Sequence, residues 1–437
     1  MVPPVADPPR ERGGGLRAAL VATFRRVMRL YFRDIERLGD PPGPEVRGRV
    51  FVSNHGNALI DPILVITDAA CPISPIAKST LWSVPGLGWL LDRAGAVPIV
   101  RRVDSPDKPA ADNAGVFDRV ARHLAAGGNV LIFPEGTSHS APQLAPLRSG
   151  AARMLIAAGE RAGVAPTFQA VGLEFDARHD FRSRCLVLWG PVRRLAEVPG
   201  AGEHHVQAIT AAMAADLGDL LVEGATAEDR RRIARVAELL AHDAGDRSLG
   251  AWSGIGRQVV LAQRTLQLSD AGVVARVAAQ VDAYYAELER HGLAVRQVAQ
   301  PGADGAERAA GPVWRRLAVA PLAAAGFALY AVPYFVPRWI ARRSDPDAVS
   351  TIKLGAALVV YPVWAAGLVA GALAVLPPPL SLVAAAVAIA SPFAALRWLD
   401  AWYLRAPAVA PDQRAELGRL RRAACAAIDE ARRRLPS

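Results

Sequence analysis

Three long apolar runs in the last third of this chain restrict its fold more than any other feature. They cover residues 317–336, 354–376 and 380–396, and about 20 apolar residues suffice to cross a bilayer. Only the prolines at 377–379 separate the second run from the third, which favours a tight hairpin of two transmembrane helices. We therefore assign residues 313–404 to a membrane region, where every backbone polar group needs a partner within the protein.

The first apolar run is less regular than the other two, because Pro321, Pro333 and Pro337 interrupt it. We predict a re-entrant or interfacial element at 317–336, with a true span as the alternative. Basic residues flank both outer ends of the hairpin and are absent from its proline linker, so the positive-inside rule places both ends in the cytoplasm. Residues 300–312 form a Gly/Ala/Pro linker, and residues 405–437 are predicted to form a charged cytoplasmic helix.

The N-terminal end carries a second membrane signal. Residues 1–15 are rich in Pro and Gly, are expected to be disordered, and lack the apolar core of a signal peptide. Residues 16–38 place arginines on one helical face and Leu, Phe and Tyr side chains on the other. This pattern predicts a helix lying in a bilayer interface. An ordinary surface helix packed on the domain is the alternative.

Between these segments, residues 39–200 alternate short apolar runs with helical patterns. This alternation predicts an α/β domain with a mostly parallel β-sheet flanked by helices. Residues 201–299 are predicted to be an Ala-rich helical insert, interrupted at 245–256. The strands are expected at 50–53, 97–100, 130–133, 169–173 and 186–189, and the helices of the domain at 113–126 and 150–161.

The charge and cysteine content bear on partners. The 437 residues include 51 Lys or Arg and 41 Asp or Glu, a net charge of +10, and almost all of the basic residues are arginines. No nucleic-acid-binding motif accompanies them, so we expect a membrane surface or a phosphate substrate and no nucleic acid. The three cysteines are isolated, which indicates a reducing compartment and gives no metal-binding spacing.

The first chemical motif, SNHGNALIDP, follows the first predicted strand of the domain. His55 and Asp61 are six positions apart, and a carboxylate so placed can hold an imidazole in one tautomer while the imidazole acts as a general base. A structural interpretation is also open. Asp61 before Pro62 resembles a helix N-cap, and His55 could simply hydrogen-bond to the loop.

Further motifs follow at the ends of later predicted strands. GAVPIVRR brings Arg101 to a strand end, where its guanidinium can clamp a phosphate or lie in solvent. FPEGTS contains Glu135, which can accept a substrate hydroxyl, and Gly136, whose backbone can approach a ligand; an ordinary turn is the alternative. Arg148 stands at the start of a predicted helix, where phosphate binding is favoured.

The ordered segments NHGNALIDP, GAVPIVRR, FPEGTS and the late VGL strand resemble the four blocks of the glycerol-phosphate and lysophosphatidate acyltransferase family. The resemblance covers residues 49–192. PIVRRVD, HDFRSR and STIKLGAALVVYPVW are more similar to its fungal-type glycerol-3-phosphate/dihydroxyacetone-phosphate branch. Five residues separate His55 from Asp61 where most of the family has four, and the fungal-type branch also tends to have five.

The resemblance implies a membrane-bound O-acyltransferase of phospholipid synthesis that works on the cytoplasmic side of the cytoplasmic membrane. His55 would be the general base and Asp61 its partner. The substrate-binding residues would be Arg101 for phosphate, Glu135 and Gly136 for the glycerol phosphate, and Arg148 as a further phosphate ligand. Acyl-CoA or acyl-carrier protein would donate the acyl chain without any cofactor, and amides near Gly136 would stabilise the oxyanion.

The motifs do not separate glycerol 3-phosphate from dihydroxyacetone phosphate or a lysolipid as the acceptor. An enzyme acting on 1-acyl-glycerol 3-phosphate or another lysolipid is therefore an open alternative. A non-catalytic membrane scaffold that retains the fold is a second alternative, although the intact residues His55, Asp61, Arg101 and Glu135 argue against it.

Overall fold

The computed structural model describes residues 14–84, 86–100, 114–298, 313–345, 348–403 and 409–435. The chain divides into two compact units, one ending at Arg230 and the other beginning at Arg231. The described helices of the first unit are α1 (Gly14–Tyr31), α2 (Ile60–Asp68), α3 (Leu87–Ala94), α4 (Ala114–Ala125), α5 (Gly150–Gly159) and α6 (Gly202–Gly218). Its described strands are β1 (Asp34–Leu38), β2 (Arg49–Ser53), β3 (Ser74–Lys78), β4 (Val97–Ile99), β5 (Val130–Ile132), β6 (Thr167–Phe175) and β7 (Arg184–Arg194).

These strands form one sheet in the order β1-β7-β6-β2-β5-β3-β4. All neighbouring pairs are parallel except β6 and β7, which form an antiparallel hairpin. The central strands are almost wholly apolar and buried, as expected where helices cover both faces of a parallel sheet. The predicted α/β class and mostly parallel sheet are confirmed, with the five predicted strands close to their expected positions.

The predicted N-terminal helix at 16–38 is wrong over its last seven residues. Helix α1 ends at Tyr31, and Asp34–Leu38 forms the edge strand β1, which pairs with β7 in parallel. The sequence of β1, DIERL, lacks the apolar run that marks a buried strand, because an edge strand is only partly covered. Met28 and Tyr31 are buried, so part of the apolar face of α1 packs on the domain; its role at a bilayer interface stays a prediction.

The hydrophobic core of the first unit continues past residue 200. Helix α6 places Val206, Ile209, Met213 and Leu217 in the same core as Val52 and Leu155. The helix predicted as part of a separate insert therefore completes the packing of the α/β unit. Short 3-10 helices at Ser79–Ser83 and Leu195–Glu197 link the main elements.

The second unit is helical throughout its described part. Its helices are α7 (Ala227–Asp243, shared with the first unit), α8 (Leu249–Ser269), α9 (Ala271–Arg290), α10 (Val313–Ala341), α11 (Val349–Val375), α12 (Leu380–Tyr403) and α13 (Pro411–Arg433). The interruption predicted at 245–256 is shorter, because α8 begins at Leu249. The Ser248 side chain caps this helix by accepting a hydrogen bond from the Ala251 amide. Buried residues of α9 and α13, including Tyr284, Leu288, Leu417 and Ile428, share one hydrophobic core.

Three helices, covering Ala318–Ala341, Val349–Val375 and Leu380–Ala401, are long and apolar enough to cross a membrane. Helices α11 and α12 cover the two apolar runs of the predicted hairpin, and their crossing of a bilayer stays a prediction. Helix α10 continues through Pro321, Pro333 and Pro337, so these prolines do not break the helix, and the predicted re-entrant or interfacial placement of 317–336 stays a prediction. The Tyr330 hydroxyl of α10 donates to the Ala388 carbonyl of α12 at 2.8 Å, and the Trp364 indole of α11 donates to the Leu329 carbonyl at 2.8 Å.

Candidate active site

The candidate site lies where β2, β5 and β6 end side by side. Strand β2 pairs with both β5 and β6, so the segments that follow these strands meet at one edge of the sheet. Asn54, directly after β2, binds both backbone groups of Leu173 on β6, accepting at 2.8 Å and donating at 3.0 Å. This double hydrogen bond fixes the start of the segment that carries His55.

The predicted pair of His55 and Asp61 is close in space. The His55 Nδ1 atom lies 3.0 Å from Asp61 Oδ2, which also accepts a hydrogen bond from the Asn57 amide at 2.7 Å. Asp61 is fully buried in the first turn of α2, whose N-cap is Leu59, so the N-cap interpretation of Asp61 is wrong. The carboxylate orients the imidazole with Nδ1–H towards it, and Nε2 has no hydrogen-bond partner in the described part of the chain.

Glu135 reaches the same segment from the end of β5, 80 residues further along the chain. Its Oε1 accepts from the His55 amide at 2.8 Å, and its Oε2 accepts from the Ala145 amide at 2.9 Å and contacts His139 Nε2. The His55 ring stacks on Phe133, with 4.1 Å between the ring centroids. The segments that follow β2 and β5 are far apart in sequence, and together they hold His55 in place.

A pocket of about 360 Å³ opens at this junction. It includes Arg178, which donates to the Gly56 carbonyl at 3.2 Å and to the Ser140 hydroxyl at 3.3 Å. The sequence prediction missed this residue, although an arginine directly after a strand is the same signal that singled out Arg101. The ionisable residues that line the pocket are His55, Glu135, His139, Arg178, Glu223 and Arg230.

Three other predicted site residues have different outcomes. Gly136 has a φ of +79°, and a Cβ on it would lie 2.5 Å from Arg148 Nε, so the turn requires glycine here. Its amide donates to the Phe133 carbonyl at 3.1 Å, and the oxyanion role predicted for amides near Gly136 stays a prediction. Arg148 is exposed beside Gly136, and neither is among the residues that line the pocket. Arg101 lies outside the described residues.

Residues 37–169 match the family model described as Acyltransferase. Glycerol-3-phosphate O-acyltransferase 2 of Saccharomyces cerevisiae is 39% identical over 83 residues, which are 18% of this chain and 11% of the yeast protein. Lyso-ornithine lipid O-acyltransferase of Pseudomonas aeruginosa is 31% identical over 131 residues, which are 30% of this chain and 45% of that protein. The chain thus spans less than half the length of these two relatives.

Among solved structures, the 1-acyl-sn-glycerophosphate acyltransferase of Thermotoga maritima matches with 15% identity and a TM-score of 0.33. The match covers 48% of this chain and 84% of that one. The segment that matches the family model, residues 37–169, is similar to acyltransferases of the glycerolipid type, and it contains the His55–Asp61 pair, Glu135, Gly136 and Arg148.

Proposed function

We propose that the acyltransferase domain of this chain moves an acyl group from a thioester to a hydroxyl of glycerol 3-phosphate or dihydroxyacetone phosphate, forming lysophosphatidate or its keto analogue. The observation that carries this proposal is the 3.0 Å contact between His55 and the buried carboxylate of Asp61 at the edge of a polar pocket. It leaves His55 Nε2 as a lone-pair nitrogen that can take a proton from an acceptor.

In the proposed reaction, Nε2 of His55 removes the proton from the acceptor hydroxyl while the oxygen attacks the thioester carbonyl. The carbon–sulfur bond then breaks, and the leaving thiolate takes the proton from the imidazolium. Asp61 stabilises the transient imidazolium and keeps the ring in the required tautomer. Every proton and electron pair is accounted for by His55, the acceptor and the donor, which is acyl-CoA or acyl-carrier protein.

Two guanidinium groups that line the pocket support a phosphorylated acceptor. Arg178 lies beside the Gly56 backbone, next to His55, and the guanidinium of Arg230 makes no ion pair within the described part of the chain. Of the acidic residues at the pocket, Glu135 and Glu223 already accept hydrogen bonds from backbone amides. Two guanidinium groups are well suited to a phosphate, because each presents several fixed donors. By resemblance, Arg101 and Arg148 are further proposed phosphate ligands.

The membrane helices support a lipid product. We place the domain on the cytoplasmic side of the cytoplasmic membrane, because basic residues flank both outer ends of the α11–α12 hairpin. A product with one long acyl chain partitions into the bilayer, so an enzyme held there releases it directly into lipid.

A second candidate acceptor is a lysolipid. The match to lyso-ornithine lipid O-acyltransferase extends over a larger share of this chain than the match to the yeast enzyme, which favours this alternative. The proposed chemistry at His55 is the same, since a lysolipid also offers a hydroxyl to the base.

The test is an acceptor panel with the purified full chain in detergent. The acceptors are glycerol 3-phosphate, dihydroxyacetone phosphate, 1-acyl-glycerol 3-phosphate, a lyso-ornithine lipid and unphosphorylated glycerol, each with acyl-CoA and with acyl-carrier protein as the donor. We expect turnover of glycerol 3-phosphate and little turnover of glycerol. His55→Ala is expected to reduce kcat by about 10²–10⁴-fold through loss of general base catalysis.

His204→Ala is the matched control, since His204 is an exposed histidine of the same unit. Efficient use of a lysolipid with no turnover of glycerol 3-phosphate or dihydroxyacetone phosphate would select the second candidate. Full activity of His55→Ala would rule out the mechanism, and inactivity on all acceptors would favour a non-catalytic scaffold.

A further inference from the structure

Hydrogen bonds hold the backbone of His55 on both sides, and both lead to the turn after β5. The His55 amide donates to Glu135 Oε1 at 2.8 Å, and the His55 carbonyl accepts from the His139 amide at 3.0 Å. The contact between His139 Nε2 and Glu135 Oε2 closes the ring. We propose that Glu135 and His139 are positioning residues that aim the general base, a role that rests on the proposed function of His55.

The hydrogen bonds of Glu135 support this assignment over a substrate-binding role. Its side chain is 1% exposed although it borders the pocket. Its two oxygens accept from three donors: the His55 amide, the Ala145 amide and His139. A buried carboxylate is stable only when such donors compensate for its lost hydration. Three of the roughly four acceptor positions of the carboxylate are thus occupied, and its 1% exposure leaves little of Glu135 accessible to a substrate hydroxyl.

The hydrogen bonds of His139 identify its tautomer. Its Nδ1 atom accepts from the Ala141 amide at 3.2 Å, so the lone pair is on Nδ1 and the proton is on Nε2, facing Glu135. Both ring nitrogens are therefore engaged, and His139 cannot act as the base. His55 has the opposite arrangement, with its proton on Nδ1 towards Asp61 and its lone pair on Nε2.

The ring of hydrogen bonds has a consequence for catalysis. The Nε2 atom of His55 is several bonds from the backbone, so a small rotation of the His55 peptide moves it by a large distance. Stacking on Phe133, which directly precedes the Glu135 turn, fixes the ring plane as well. A displacement of about 1 Å at a reacting group can reduce the rate by about 100-fold.

Chemical modification tests the nitrogen assignment without using activity. The side chains of His55 and His139 are 19% and 22% exposed, so their accessibility is matched. Diethylpyrocarbonate acylates the lone-pair nitrogen of a neutral imidazole, and peptide mass spectrometry measures the rate at each histidine. We expect His139 to react about tenfold more slowly than His55, because reaction requires breaking a hydrogen bond. Glu135→Gln should accelerate modification of His139.

Kinetics of two His139 variants test the positioning role. His139→Ala should lower kcat for glycerol 3-phosphate by about 100-fold while KM changes little, because the base is misaimed and the acceptor site is intact. His139→Gln should restore most of this loss, since its amide can donate to Glu135 from nearly the position of Nε2. The pH profile of kcat/KM should keep its shape while its maximum decreases. Thermal unfolding of each variant shows whether a loss of activity comes from misfolding or from a displaced His55.

Three results would overturn the assignment. The first is that diethylpyrocarbonate modifies His139 as fast as His55. The second is that His139→Ala or Glu135→Gln raises the acceptor KM and leaves kcat unchanged. The third is that His139→Gln is as inactive as His139→Ala although it unfolds normally. An unsubstituted protein that acylates no acceptor contradicts only the proposed function, because the modification rates still report the hydrogen bonds. His204→Ala serves as the control in both experiments.

Discussion

The two units of this chain use their buried polar groups in different ways. In the α/β unit, Asp61 and Glu135 lie at one edge of the sheet beside a pocket, where Asp61 binds the imidazole of His55 and Glu135 binds its backbone amide. In the helical unit, Arg421 pairs with Asp243 and binds His242, and the Tyr285 hydroxyl donates to Glu238 at 2.8 Å. The first arrangement leaves a reactive nitrogen open, whereas the second joins helices to each other.

The apolar surface differs between the units as well. Most large apolar side chains of the α/β sheet are buried, apart from Leu38 and Val192 near strand ends, whereas Val363 and Val375 of α11 are 67% and 80% exposed. An apolar helix surface of this extent is stable where lipid rather than water surrounds it. We therefore propose that the α/β unit carries the chemistry and the apolar helices the anchoring, and we expect substitutions in one part to leave the other unchanged.

The largest expected effect is on catalysis in the α/β unit. Asp61→Asn should lower kcat by about 10³–10⁴-fold, because an amide cannot stabilise the imidazolium and favours the wrong tautomer of His55. Steady-state kinetics measure the change, and membrane retention should be unaffected. Asp118→Asn is the control, since Asp118 is about half exposed on α4 and is expected to keep wild-type kcat. A kcat of Asp61→Asn within tenfold of wild type would contradict the dyad.

The next effect concerns packing of the membrane helices. A Cβ on Gly326 of α10 would lie 2.2 Å from the Ser391 carbonyl oxygen of α12, so these backbones approach closely only because residue 326 is glycine. Gly326→Val should therefore lower the free energy of unfolding in detergent by about 1–3 kcal/mol. Gly367 of α11 has no atom within 4 Å of its built Cβ, so Gly367→Val is the matched control. Equal stability losses in the two variants would argue against the close contact.

The smallest effect is one that the two units share. Burial lowers the pKa of His123 on α4 and of His242 on α7, and the positive charges of Arg17 and Arg421, respectively, lower it further. The unfolded chain binds a proton at about pH 6.5, so it takes up more protons than the folded chain between that pH and the lower folded pKa. The stability of both units should therefore fall as the pH decreases from 7.5 to 5.5.

Hydrogen exchange of peptides from each unit at the two pH values measures this effect. His123→Gln should flatten the pH dependence of the α/β unit, and His242→Gln that of the helical unit, where the amide oxygen can still accept from Arg421. Substitution of His204, which is exposed, should leave both slopes unchanged. A slope that survives both buried substitutions would assign the pH dependence to other groups.

Local patterns in the sequence were enough to predict a large part of this protein. The buried strands, the α11–α12 hairpin and the His55–Asp61 pair each depend on residues near one another in the chain. An apolar run indicates burial or a membrane by its length alone, and a carboxylate six residues from a histidine can meet it within one turn. The charged C-terminal helix is also predicted by the local sequence alone.

Only the tertiary structure decided the remaining features, because they depend on the order of strands in the sheet. Strand β1 is polar and forms by pairing with β7, which is about 150 residues away in the chain. Since β2 lies between β5 and β6, Glu135 reaches the His55 amide and Arg178 reaches the Gly56 carbonyl across separations of 80 and 122 residues. A single sequence carries no local periodicity that encodes such pairings, so the dyad was predictable, whereas the contact of Glu135 with the His55 amide and the place of Arg178 beside Gly56 were not.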